Sequence, residues 1–328
     1  MKLATVINDN GATELGLVNS DATRVARVTM LCEDLGRPAP EWSHDMLTLL
    51  QNWEAAQPLL RQLVERMSAT LAGEKLAQAR LAAPLPRPTS LRDCVSFEQH
   101  WIQTARAVAA AKAPPVAWLD RALQRATGWS LLRPPAVWRK RPIYYKGNPA
   151  SVIGHGGTVR WPAYSKRLDF ELEIAVYIGR EGVDLTPAEA ASHVAGYSLF
   201  NDFSARDVQF REMRGRLGPG KSKDFDTGNS LGPFLATPDE VDFGSMRLEA
   251  RVNDELWVAS DARTLYHSVA DTVAFISQSE TLYPGDVIGL GTVPGGSGIE
   301  LGRWLQPGDR IELSATGLGV LANRISAT

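Results

Sequence analysis

The chain is predicted to be an α+β protein in two parts, a small N-terminal α+β domain over residues 1–82 and a larger domain over residues 83–328. Three features predict it. From Ser43 to about Ala82, apolar side chains recur at helix spacing. Ala83–Pro88 reads A-P-L-P-R-P, which cannot continue a helix and marks a linker. Beyond Pro142 short apolar runs are punctuated by Gly, Pro, Asn and Asp, a texture of strands and turns rather than regular strand–helix alternation.

In chain order, residues 1–35 read as short strands, K-L-A-T-V-I, L-G-L-V and V-A-R-V, separated by N-D-N-G and N-S-D-A-T. Met46, Leu47, Leu49, Leu50 and Trp53, then Leu59, Leu60, Leu63, Met67 and Leu71, form one helical stripe suited to packing. After the linker, a helix is predicted over Ile102–Lys112. The Pro- and Trp-rich interval from Pro114 to Pro142 reads as irregular, with some helical character around Leu119–Ala126, and suits a lid, a pocket wall or a surface insertion. Two further helices are expected, near Pro187–His193 and Ser268–Ser279.

With 328 residues, 44% hydrophobic and 22% charged, the chain can bury a sizeable core. Its net charge of −2 is interspersed, with no Lys/Arg block, so nucleic acid and anionic membrane are not expected partners. Two cysteines, Cys32 and Cys94, make neither a disulfide framework nor a zinc spacing. No apolar run suits a signal peptide or a membrane helix, which points to a cytoplasmic protein.

The chemistry centres on Leu168–Asp207. In L-D-F-E-L-E-I-A-V-Y, Glu171 and Glu173 share one face of a strand, about 6–7 Å apart. An exposed polar face would explain them, but Ala175 and Tyr177 continue that face and are not solvent-type residues. Asp202 ends a second strand, G-Y-S-L-F-N-D. Clustered carboxylates repel unless a cation lies between them, and oxygen ligands suit Mg²⁺, Mn²⁺ or Ca²⁺ rather than zinc. Arg206 and Gln209 fall on one face of a helical turn, as donors for a carboxylate or oxyanion or as a plain helix start. The loop Gly218–Thr227 lacks nucleotide-loop spacing, and reads as a flexible loop delivering one lysine to an anionic substrate. His100 follows Asp93 by seven positions. Glu300 is expected at the start of a strand after the glycine-rich turn Gly291–Gly298.

From about Asp93 to the C-terminus, the chain resembles the fumarylacetoacetate hydrolase superfamily. The resemblance rests on L-D-F-E-L-E, G-Y-S-L-F-N-D-F-S-A-R-D-V-Q, K-D-F-D-T, P-G-D-V-I-G-L-G-T and L-Q-P-G-D-R-I-E-L, in the family's order. It implies a mixed β-sandwich roll for the larger domain, a homodimer, and a divalent cation on Asp93, Glu171, Glu173 and Asp202. It further implies His100 as general base oriented by Glu300, an oxyanion set of Arg206, Gln209 and Lys223, and site-lining roles for Tyr145, Thr227 and Thr292. Lys221 competes with Lys223, and the spacing to Thr227 favours Lys223. The implied activity is hydrolysis of a C–C bond in a 1,3-diketone or acylpyruvate. The alternative is a 2-oxo acid decarboxylase, hydratase or isomerase on the same scaffold, and a third possibility is a catalytically silent binding protein. Ala109 stands where the fumarylacetoacetate enzyme carries an arginine, which speaks against fumarylacetoacetate as substrate. Trp101, Trp118, Trp129 and Trp138 could wall a bulkier pocket or pack on the surface.

Overall fold

A computed structural model describes residues 1–326; residues 327 and 328, which end the larger predicted domain, lie outside the described residues. Two mixed sheets and a helical layer build an α+β fold. The large sheet has eleven strands. From edge to edge it runs Glu74–Lys75, Arg24–Arg27, Thr13–Val18, Lys2–Ile7, Asn229–Ala236, Val194–Asp202, Leu172–Ile178, Asp286–Gly289, Ser90–Cys94 and Tyr144–Gly147, with Val152–Ile153 added beside Asn229–Ala236. The second sheet is made of Glu255–Asp261, Arg247–Val252, Arg310–Ala315, Gly319–Ser326 and Thr158–Arg160.

The alternation read from the sequence decides which core each residue enters. Phe170, Leu172, Ile174 and Val176 join Leu248, Leu313 and Leu321 of the second sheet in one apolar core. Ala175 and Tyr177, on the opposite face, join Trp53, Leu60 and Leu63 of the N-terminal helices in another. Each fully buried Leu or Val contributes about 1.5–3 kcal/mol, so both faces of this strand are committed. Glu171 and Glu173 sit where its second face changes from apolar to acidic.

Several elements differ from expectation. Residues Val28–Asp34 are helix, not strand. The long helical stripe is two helices, Met46–Gln51 and Trp53–Thr70, and it stops well short of Ala82. Leu71 turns left-handed there (φ 52°), and at Gly73 a Cβ would lie 2.3 Å from the Val25 carbonyl. The helix predicted from Ile102 begins at Glu98. The interval Pro114–Pro142 is mostly ordered helix, Pro114–Thr127 and Ala136–Lys140. Its two leading prolines occupy the first turn, where the N–H they lack has no helical partner. Inside it, the buried Asp120 accepts from Arg106, Ser130 and the Leu131 N–H. Trp138 is core, its indole N–H donating to the Val95 carbonyl, whereas Trp118 and Trp129 are exposed. Among the described residues, no helix is long and apolar enough to cross a membrane.

Candidate active site

Three strands of the large sheet deliver three buried acids to one point. Glu173 lies on Leu172–Ile178, Asp202 ends Val194–Asp202, and Asp93 lies on Ser90–Cys94. Between the first and last runs Asp286–Gly289, whose Gly289 is the register partner of Asp93. A Cβ at Gly289 would lie 2.3 Å from Asp93 Oδ1, so the glycine leaves the acids room to meet. One oxygen of each acid lies within 4.8 Å of the others. Asp93 Oδ1, Glu173 Oε2 and Asp202 Oδ1 are buried and have no hydrogen-bond partner among the described residues, while Thr292 Oγ1 donates to Glu173 Oε1 at 3.0 Å and the Tyr145 hydroxyl to Asp202 Oδ2 at 2.6 Å. Buried oxygens with unused lone pairs, converging from three strands, fit a hard divalent cation.

Glu171 is not part of that convergence. Its Oε1 accepts from Arg206 Nη2 at 2.6 Å and its Oε2 from Lys223 Nζ, which also donates to Asp202. Burial alone would raise Glu171, but the charges of Arg206, Lys223 and His100 outweigh it and hold the carboxyl well below the usual range. The other acids go the opposite way. Burial and the Asp202 charge push Asp93 well up, and burial with the Asp93 and Glu171 charges does the same to Glu173. Burial lifts Asp202 to about 6, with Lys223 opposing the rise and Glu171 adding to it.

The donors expected to face an oxyanion are largely engaged with protein groups. Arg206, 2% exposed, donates to Asp169, Glu171 and Gln209 Oε1, the last at 2.8 Å. That bond leaves the Gln209 amide N–H groups to donate. Lys223, not Lys221, enters the site, and its loop is tied down rather than loose: Glu212 Oε2 accepts from the Gly220 and Ser222 N–H groups and from the Ser222 hydroxyl at 2.6 Å. Lys221 lies over the Tyr164 ring instead. Thr227 is turned elsewhere, its Oγ1 accepting from the Arg160 N–H at 2.8 Å.

His100 comes from the first turn of the Glu98–Lys112 helix, which lies over the 291–297 turn and accepts its Gly295 N–H on Gln103. His100 Nδ1 is 3.0 Å from Glu300 Oε2, within ion-pair distance but off the line of a hydrogen bond, and Nε2 is 3.9 Å from Glu171 Oε1. Glu300 stands in a short helix, Gly298–Leu301, and not at a strand start. The turn closes tightly there, so Gly295 N–H and Ser297 Oγ both reach the Glu300 carboxylate, at 3.0 and 2.7 Å. Sequence reading passed over Asp169, although it stands in the same L-D-F-E-L-E; it is fully buried and accepts from Arg206 Nε at 2.7 Å.

Residues 120–326 match the family model "Fumarylacetoacetate (FAA) hydrolase C-terminal", and residues 1–87 match "Fumarylacetoacetase N-terminal domain 2". The chain belongs to the fumarylacetoacetate hydrolase family. Among its relatives, the human oxaloacetate tautomerase FAHD2A, mitochondrial, is 36% identical over 188 residues, 57% of this chain and 59% of that protein. The chain thus spans about three-fifths of that relative's length. The oxaloacetate tautomerase YisK of Bacillus subtilis is 29% identical over 253 residues, 76% of this chain and 74% of that protein. A probable 2-hydroxyhepta-2,4-diene-1,7-dioate isomerase from Mycobacterium abscessus shares the fold, with a TM-score of 0.71 at 25% identity over 99% of this chain and 98% of its own. This fumarylacetoacetate hydrolase family chain is therefore an enzyme by family, with a buried acidic triad suited to a divalent cation.

The raised acids set the sign of a pH effect. Burial lifts the folded Asp202 to about 6 from the ordinary carboxylate value of 3.8, so the folded chain keeps its proton in a window where the unfolded chain has lost it. That stability is present below about 4 and is lost as pH rises through about 6. A cation must displace those protons. Mn²⁺ affinity measured by titration calorimetry is therefore expected to fall by roughly tenfold or more from pH 7 to pH 5, one factor of ten per unit for each proton displaced. Affinity that stays flat over that range would contradict a cation on these acids.

Proposed function

We propose that the enzyme is a divalent-cation-dependent hydrolase that cleaves a C–C bond in a 2-oxo acid bearing a 1,3-dicarbonyl unit, of acylpyruvate type. The observation that supports this is the His100–Glu300 pair, set beside the acids with Nε2 turned toward Glu171.

Asp93, Glu173 and Asp202 would hold Mg²⁺, Mn²⁺ or Ca²⁺, which would polarise the dicarbonyl and lower the energy of enolate charge. His100 Nε2 takes a proton from water, and Glu300 beside Nδ1 holds the ring's orientation and stabilises the imidazolium. The hydroxide oxygen adds to the carbonyl carbon, and the carbonyl electron pair moves onto its oxygen. The Gln209 amide keeps its N–H groups to donate to that charge, while Lys223, whose Nζ already donates to Glu171 and Asp202, contributes through its positive charge. Collapse breaks the bond to the central carbon, leaving a carboxylic acid and an enolate, which takes its proton from His100. Arg206 serves this site by holding Glu171, since its own donors are engaged with Asp169, Glu171 and Gln209.

The test is a panel of acylpyruvates and linear diketones with each cation and with chelator. Equimolar carboxylic acid and 2-oxo acid products are expected, abolished by chelator and restored by the cation; an absence of cleavage across the panel would overturn the proposal. A second reading, proton transfer between enol and keto forms of an oxaloacetate-like 2-oxo acid, is favoured by the likeness to the oxaloacetate tautomerases FAHD2A and YisK. Cation-dependent enol loss without C–C cleavage would select it. By resemblance the enzyme is also proposed to be a homodimer, which sedimentation velocity would decide.

A further inference from the structure

Asp169 has no part in the reaction above, yet both of its oxygens are engaged. It is fully buried on the two-residue strand Leu168–Asp169. Oδ1 accepts the N–H of Phe170 at 2.9 Å and of Gly298 at 2.7 Å. Oδ2 accepts the N–H of Ile299 at 3.1 Å and Arg206 Nε at 2.7 Å. Gly298 and Ile299 open the short helix that carries Glu300. Arg206 in turn holds Glu171 Oε1, the oxygen nearest His100 Nε2. Two routes therefore run from one carboxylate to the two nitrogens of one histidine, through Glu300 to Nδ1 and through Arg206 and Glu171 to Nε2. The approach is close by construction. A Cβ on Gly298 would lie 2.5 Å from Asp169 Oδ1 and 2.3 Å from the Arg303 carbonyl.

We propose that Asp169 is a positioning residue that sets Glu300 and the Arg206–Glu171 pair together, and so fixes the orientation of His100. The proposal rests on His100 being the base of the proposed reaction. Only a carboxylate satisfies four donors in this way. Asparagine has the same size but offers one oxygen and one NH₂, so whichever way it sits, two donors face another donor.

Asp169→Asn is expected to lower kcat about 10²-fold, the cost of a small misplacement of a catalytic group. KM and Mn²⁺ affinity should stay within about twofold, because the triad acids keep their partners. In the His100→Ala background Asp169→Asn should cost nothing further, since its effect passes through His100. Gly298→Ala, which leaves the carboxylate intact but pushes the short helix away, should give the same pattern and decides the matter if Asp169→Asn does not fold. A crystal structure of either variant should show Glu300 Oε2 withdrawn from His100 Nδ1. Additive losses in the double variant, or an unchanged Glu300–His100 spacing, would overturn the proposal. If the unaltered enzyme cleaves nothing in the panel, the functional reading falls, and the Glu300–His100 spacing alone decides the role of Asp169.

Discussion

His100→Ala is expected to lower kcat for acylpyruvate cleavage by about 10²–10⁴-fold, the usual contribution of a positioned general base, while Mn²⁺ affinity stays unchanged. The separation of the two effects follows from geometry. The three converging oxygens belong to Asp93, Glu173 and Asp202, and His100 supplies none of them. Its ring instead faces Glu300 on one nitrogen and Glu171 on the other. Truncation leaves a cavity beside Glu300, so added imidazole is expected to restore part of the rate. Glu300→Gln should lose less than His100→Ala, since the base remains and only its orientation and charge partner are weakened. Stopped-flow kinetics with calorimetry of Mn²⁺ binding checks both halves. Turnover that survives His100→Ala, or a rate loss that tracks weakened cation binding, would remove His100 from the base role.

Much of this arrangement is legible in the sequence because strands write their faces into it at a period of two. Phe170 to Tyr177 sorted correctly into two cores on that basis alone, and the same alternation put Glu171 and Glu173 on one face. What alternation does not carry is which partner each carboxylate finds. Glu171 and Glu173 read alike, yet one meets Arg206 and Lys223 while the other meets Thr292 and the acids. Arg206 and Lys223 read as free donors because a sequence shows charge without showing the acid opposite. Prolines misled differently. Pro114 and Pro115 suggested irregular chain, but a first helical turn tolerates both. Glu300 reads as the start of a strand after a glycine-rich turn; in the structure the Asp169 carboxylate, distant in sequence, accepts the N–H groups that open a helix there.

Arg206→Met is expected to destabilise the fold by about 3–5 kcal/mol, the range for removing one partner of a buried ion pair. The size follows from what remains. Asp169 is fully buried and Glu171 nearly so, and Arg206 is the cation that both share. Methionine fills much of the volume but returns none of the three hydrogen bonds. Asp169 keeps its main-chain donors, while Glu171 keeps Lys223, which must still serve Asp202. Glu171 would then lose the largest of the charges holding it low and take up a proton more readily, so the variant should be less destabilised at pH 5 than at pH 8. Adding Asp169→Asn to Arg206→Met should recover part of the loss, because a buried charge without its cation costs more than a neutral amide. Guanidinium denaturation of the two single variants and the double variant measures the coupling. A cost under about 1 kcal/mol for Arg206→Met would mean that this is a solvated pair of the surface kind. A full cost, partly recovered in the double variant, would mean that the arginine's place is to hold two buried acids, Glu171 beside His100 Nε2 and Asp169 at the start of the short helix that carries Glu300.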